Sequence, residues 1–388
     1  DVSQFIQMNR LRSLENNKPK KNVRSSLEFY QKSFPVDTNN KFLPNSNTKF
    51  THASTIQKFP LYKGIQAKYK IPTRNVWGGT VITSTYSFQL YAGTPNIAGN
   101  TTSTFITPED LIAFPNGDLY VVTGGDKNVR YFNSLTSLIS TFNITTPLLG
   151  DANGIVDRGG GNVLVSNSTL SVITNITSGG ISSTFGPIVG LSTPTKLLID
   201  TTDLYVVDRG NFVIKKILLS TNAVTTIIGN GSFQAAGAGA NSLITPQLAT
   251  SVPMGQLQGI CKDSLGNFYV SDSSLNRILK YETSTSQISL FAGNNNPGAA
   301  GGDNPGFING SAYTARFRSP YGLAIDSSNN IYVADFLNAA IRKITPTGVV
   351  STLSTPGLVG PKGVFCDKLN NILYIADTNS SAIYKITL

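Results

Sequence analysis

Five aspartates recur at one place in a repeating pattern: Asp157, Asp200, Asp263, Asp326 and Asp367 each close a short apolar run. Gathered into a ring, they could ligate Ca²⁺ or act as general acid and base. Their Asp-x-x-x-Asn setting, as in Asp263 to Asn267 and Asp326 to Asn330, suits a second role, because Asp and Asn side chains bond to backbone a few residues on. A residue that returns with every repeat is what a structural role requires, so turn capping is the expected role. Other chemistry is scarce. The one histidine, His52, excludes sites that need two imidazoles. Two cysteines, Cys261 and Cys366, cannot make a four-thiolate metal site, and their differing offsets from the turn aspartate argue against a disulfide. No Ser–His or Cys–His pair is available for nucleophilic catalysis beyond residue 85, where no histidine occurs.

The elements that carry these aspartates repeat. The clearest copy runs Pro320-Tyr-Gly-Leu-Ala-Ile-Asp326, Asn330-Ile-Tyr-Val-Ala-Asp335, Ile341-Arg-Lys-Ile344 and Val349-Val-Ser-Thr-Leu353. Others follow at Pro361-Lys-Gly-Val-Phe-Cys-Asp367 and precede at Gly259-Ile-Cys-Lys-Asp263 and Pro194–Asp200, with weaker copies near Asn153–Asp157 and Pro108–Phe114. Each reads as four short strands of apolar and β-branched residues, punctuated by Gly, Asn, Asp and Pro. Aligned on Tyr120, Leu164, Tyr205, Tyr269, Tyr332 and Tyr374, the copies are spaced by 44, 41, 64, 63 and 42 residues. Four strands at a period near 42, with two insertions, is the pattern of a β-propeller blade. The last copy ends after its third strand, at Leu388, while Tyr86-Ser-Phe-Gln-Leu-Tyr-Ala-Gly93 matches a fourth. The expected fold is therefore all-β: a six-bladed propeller over residues 86–388, with the N-terminal strand completing the C-terminal blade. Closure of that kind leaves no ring edge to aggregate.

Residues 320–344, with Pro-x-Gly-Leu-Ala-Ile-Asp, Asn-Ile-Tyr-Val-Ala-Asp and Ile-Arg-Lys-Ile, resemble the NHL-repeat propeller family. The connector Ala315-Arg-Phe-Arg-Ser-Pro320 is similar to that family's connector between blades. The resemblance covers residues 86–388 and implies the fold more than an activity, since such propellers host binding modules, sensors and a few enzymes. The peptide-amidating lyases among six-bladed propellers use a histidine-ligated metal, which a body without histidine cannot supply. Lactonase-like relatives pair a metal-binding Glu with Asn and Asp, and neither glutamate of the body, Glu109 or Glu282, has a matching context. RNA-binding relatives use a strongly basic face.

Charge separates the chain in two. Residues 1–78 hold 14 Lys/Arg against 4 Asp/Glu, and residues 79–388 hold 17 against 17, so the whole +10 lies in the first part. Residues 1–85 thus read as a basic arm of short helices and extended segments, with the cluster Lys18, Lys20, Lys21 and Arg24 and the spaced aromatics Phe42, Phe50, Phe59, Tyr62, Tyr69 and Trp77. Aromatics spaced along an extended segment need a surface to bury against. The arm is expected to dock on protein partners in an assembly, with nucleic acid or an anionic surface as the alternative partner through residues 1–78. No run of 18 apolar residues is present to span a membrane. The insertions 229–255 and 293–319 read as glycine-rich surface loops, where binding residues gather. Phe307, Tyr313, Arg316 and Arg318 are the candidates there, whereas Phe317 is expected to pack under the next blade. The function expected from all this is a non-enzymatic scaffold or interaction protein, for example a component of a virus particle or surface layer, extracellular or particle-associated. It carries no cofactor unless Ca²⁺ enters the channel. The alternative is a hydrolase or lactonase-like, Ca²⁺-dependent enzyme with its site at the central channel.

Overall fold

A computed structural model describes residues 87–99, 101–142, 150–235, 243–293 and 305–388. Among these, every regular element is a β-strand or a single 3₁₀ turn. Blade 1 comprises β2 (Pro108–Ala113), β3 (Leu119–Thr123), β4 (Asn128–Asn133) and β5 (Leu138–Thr141). Blade 2 holds β6 (Ala152–Gly159), β7 (Asn162–Asn167), β8 (Val172–Ile176) and β9 (Ser182–Thr184). In blade 3 they are β10 (Pro194–Ile199), β11 (Asp203–Asp208), β12 (Val213–Leu218) and β13 (Val224–Ile228). Blade 4 contains β15 (Leu257–Lys262), β16 (Phe268–Asp272), β17 (Arg277–Glu282) and β18 (Gln287–Gly293), with β14 (Gln247–Leu248) added outside β18. Blade 5 is β19 (Pro320–Ile325), β20 (Ile331–Asp335), β21 (Ala340–Ile344) and β22 (Val350–Thr352). Blade 6 takes β23 (Pro361–Asp367), β24 (Ile372–Asp377) and β25 (Ala382–Thr387) from the end of the chain and β1 (Ser87–Gly93) from its other side.

The closure expected from the sequence is present. β1 pairs antiparallel with β25, from Ser87 opposite Thr387 to Gly93 opposite Ala382. The innermost strands touch in cyclic order, β2 to β6 to β10 to β15 to β19 to β23 and back to β2.

The core lies between blades. Six apolar clusters fill the six interfaces, for instance Ile331 and Val333 facing blade 4, and Tyr332 and Ala334 facing blade 6. Alternate residues of a strand point to opposite faces, so a second strand such as β20, packed between two blades, must be buried on both faces. Its five residues are all buried. The inner strands meet backbone to backbone: a Cβ on Gly322 would lie 2.3 Å from the Lys362 carbonyl oxygen, and one on Gly154 2.3 Å from that of Thr195. Only glycine permits that approach, which explains the Gly of the Pro-x-Gly pattern.

The first long insertion departs from the loop reading. Gln247 and Leu248 pair with Ile288 and Gln287 as a fifth strand of blade 4, because the unpaired edge of β18 offers backbone partners.

Candidate functional site at the channel mouth

The second residues of the inner-strand motifs, Glu109, Asn153, Thr195, Gln258, Tyr321 and Lys362, line one end of the channel together. In blades 2, 4, 5 and 6 the next residue is glycine, but blade 1 has Asp110 and blade 3 has Lys196. These two departures meet: Lys196 Nζ donates to Asp110 Oδ1, an ion pair that passes over blade 2. The backbone N–H of Ile155 donates to the other Asp110 oxygen at 3.1 Å. Lys362 Nζ reaches both Glu109 oxygens at 2.9 and 2.8 Å and lies 5.6 Å from the Tyr321 ring centre. Burial pushes the Glu109 and Asp110 carboxyls up, against the pull of their lysines.

The remaining space is about 40 Å³, room for water-sized molecules and far below the roughly 300–1,000 Å³ of small-molecule sites. Both carboxylates hold an ammonium group, so a metal cation there would have to displace a lysine. Among the described residues no three His, Cys, Asp or Glu side chains gather as a metal-binding group. Asn153 Oδ1 is buried in this mouth with no hydrogen-bond partner among the described residues.

The five repeated aspartates sit elsewhere, at the far ends of the inner strands, and cap their own turns. Asp326 Oδ1 accepts from the N–H groups of Ser328 and Asn330, and its Oδ2 from the Asn330 amide at 2.8 Å and the Tyr332 hydroxyl at 3.0 Å. Asp263 is held the same way by Leu265, Asn267 and Tyr269, and Asp367 by Leu369 and Asn370. Asp157 accepts from the Gly159 N–H. Asp200 accepts from Thr201 and also pairs with Lys262.

A second aspartate series, not singled out in the sequence, closes each second strand of blades 3 to 6: Asp208, Asp272, Asp335 and Asp377, all fully buried. Asp335 accepts from the Arg318 N–H at 2.7 Å, the Asn338 amide at 2.8 Å and Arg342 at 2.8 Å. It thereby ties a connector, a turn and the third strand together. Burial, only partly offset by Arg342, raises its pKa to about 6.

The loop candidates divide. Phe307 is half-buried and lies 4.9 Å from the Arg342 guanidinium, which Phe317 flanks at 5.1 Å. Phe317 is fully buried, as expected. Arg316 turns back to the carbonyls of Tyr313 and Ala315. Tyr313 and Arg318 are exposed. The arm candidates Lys18, Lys20, Lys21, Arg24, Phe42, Phe50, Phe59, Tyr62, Tyr69 and Trp77 lie outside the described residues. Both cysteines are free; Cys261 is buried but Cys366 is half-buried, and burial pushes the Cys366 thiol up to about 12. No helix among the described residues is long and apolar enough to cross a membrane.

Six antiparallel sheets, five of four strands and one of five, in cyclic contact decide the architecture. The chain is a six-bladed β-propeller. No protein-family profile matches it, and no curated protein does. Solved structures share the fold. A Bacteroides thetaiotaomicron protein of unknown function aligns at TM-score 0.60 and 19% identity over 78% of this chain and 76% of that one. An auxiliary nutrient binding protein from Bacteroides ovatus aligns at TM-score 0.58 and 14% identity over 78% and 76%. Virginiamycin B lyase from Staphylococcus aureus aligns at TM-score 0.53 and 15% identity over 78% of this chain and 100% of the lyase.

Proposed function

We propose that this protein is a non-enzymatic scaffold or interaction protein, a propeller of the NHL-repeat kind that joins a larger assembly through its basic N-terminal residues. The observation that carries this reading is the channel mouth. Its four charged side chains are consumed in two internal ion pairs around about 40 Å³, so among the described residues this mouth offers no unpaired charged group and space for little more than water. The charge imbalance supports it from the other side: the propeller is neutral, and the excess of +10 lies wholly in residues 1–78. The likeness to a nutrient-binding protein is consistent with a binding role for this fold.

The test replaces Lys18, Lys20, Lys21 and Arg24 with alanine in the full chain and compares co-purifying proteins and particle fractionation with the parent. Loss of partners with an unchanged circular dichroism spectrum is expected. Retention of every partner would overturn the docking role of the arm. Nuclease treatment that removes the association would instead assign the arm to nucleic acid.

A further inference from the structure

The propeller closes as a ring, yet each blade still ends in an outer strand with one unpaired side. The chain covers several of these itself. On blade 1, the Ile139 N–H donates to the Thr102 carbonyl at 2.8 Å. On blade 4, Gln247–Leu248 add a strand to β18. On blade 5, Gly310 and Val350 exchange both backbone bonds, at 3.0 and 2.7 Å. Blade 2 ends in a strand of three residues, and β1 of blade 6 follows directly on residues outside the described range.

Blade 3 is different. The outer strand β13 reads Val-Thr-Thr-Ile-Ile, and Val224, Thr225 and Thr226 are all exposed. No outward backbone hydrogen bond is made by Val224–Ile227 among the described residues. The strand is β-branched throughout and lacks the Lys, Glu or Pro that blunts a natural edge. Beside it runs a groove of about 500 Å³ lined by Thr226, Asn211, Lys215, Asn230, Thr250 and glycines. The long polar side chains of that groove are already committed. Asn211 donates to Gly190 and Asp208, Lys215 is paired with Asp208, and Asn230 bonds Ser251 and Ser232. Among the described residues, the capacity left unmet on this side of the ring is the backbone of β13.

We propose that β13 is a self-association edge, pairing antiparallel with β13 of a second copy of this chain. The occupant follows from charge and symmetry. A strand without charges meets no opposing charge in its own copy, and residues 79–388 carry 17 positive and 17 negative groups, so two propellers approach without net repulsion. An antiparallel pair of identical strands has two-fold symmetry, which closes at a dimer and leaves no further edge. The two-fold axis falls near Thr225 and Thr226, the middle of the open stretch, and the adjoining groove gives the incoming side chains space. The proposal uses no residue of the arm, so its test stands apart from the preceding proposal.

Sedimentation velocity of the full chain across a concentration series, from about 1 to about 200 μM to span the affinity of a small interface, should show a concentration-dependent dimer. Thr226→Lys and Thr225→Lys place like charges opposite each other at the axis and should weaken dimerisation at least about tenfold, with unchanged circular dichroism. Thr225→Cys and Thr226→Cys, oxidised mildly, should give a covalent dimer in at least one case, because facing residues near the axis come within disulfide reach. Ser183→Cys, on exposed β9 of blade 2, should not. A chain monomeric throughout the series, a dimer indifferent to both lysines, or cross-linking no better than Ser183→Cys would each overturn the proposal.

Discussion

Replacing Arg342 with methionine isolates one buried charge. The guanidinium is fully buried and gives hydrogen bonds of 2.8 Å to Asp335, to the Arg316 and Ile308 carbonyls, and to the Asn309 side chain. Methionine keeps most of the volume and the contact with the Phe307 and Phe317 rings, so the cavity cost is small. Ile308 is 52% exposed, so water can replace the donor lost to its carbonyl. The dominant loss is at Asp335, whose carboxylate stays buried with only the Asn338 amide and the Arg318 N–H as partners. Breaking a buried pair on one side costs about 3–5 kcal/mol. Urea unfolding at pH 7.5, followed by circular dichroism because the single Trp77 lies in the arm, should show a loss of that size. The loss should shrink at pH 5, where the unpaired carboxyl takes up a proton and its charge penalty disappears. A loss under about 1 kcal/mol, below the range for breaking a buried pair, would refute the reasoning, as would a loss equal at the two pH values.

Three further outcomes are expected. Gly322→Ala puts a methyl 2.3 Å from a backbone oxygen of the neighbouring blade and should cost at least about 1–3 kcal/mol, whereas Gly179→Ala, with nothing nearer than 3.9 Å, should stay within about 0.5 kcal/mol in the same unfolding assay. The parent protein should become more stable on acidification from pH 7.5 to 5. A carboxyl near 6 when folded and 3.8 when free binds its proton earlier in the folded state, so Asp335 adds about 1.4 kcal/mol over that interval. Glu109, Asp110 and Asp377 are raised as well; a fall in stability over the same interval would contradict this assignment. Both thiols should resist iodoacetamide at pH 7.5 in the folded protein and react fully in urea, because burial disfavours the thiolate; rapid labelling of folded Cys366 would show that its site is open.

The blades, their number and the closing strand were legible because a repeat writes the same local physics many times. The turn aspartates were legible for the same reason: their partners Asn267 and Asn330 lie four residues away. The channel mouth was not. It is built where blades 1 and 3 break the Pro-x-Gly rule, and blade 1 is among the least regular copies. Its ion pairs join residues 86 and 253 positions apart, distances that no local pattern reports. A usable signal existed all the same: Asp110 and Lys196 replace a glycine with opposite charges in the same ring position. Phe307 has a partner that the sequence did not report. An aromatic in a glycine-rich connector reads as a surface anchor, but here its ring lies against a guanidinium supplied by β21.

The seam between β1 and β25 also sets a clock. Ser87 pairs with Thr387, so the strand that begins the ring must wait for one made 300 residues later. At about 5–20 residues per second of synthesis, that wait lasts roughly 15–60 s. Blades 1 to 5 can form meanwhile from neighbouring strands, one after another as they emerge. Blade 6 cannot, and until β25 has been made the nascent ring exposes β1 with the backbone of Phe88 and Leu90 unpaired by it. The step that turns a stack of blades into a ring therefore joins the strands most distant in sequence, and a chain cut short of Ala382 would never take it.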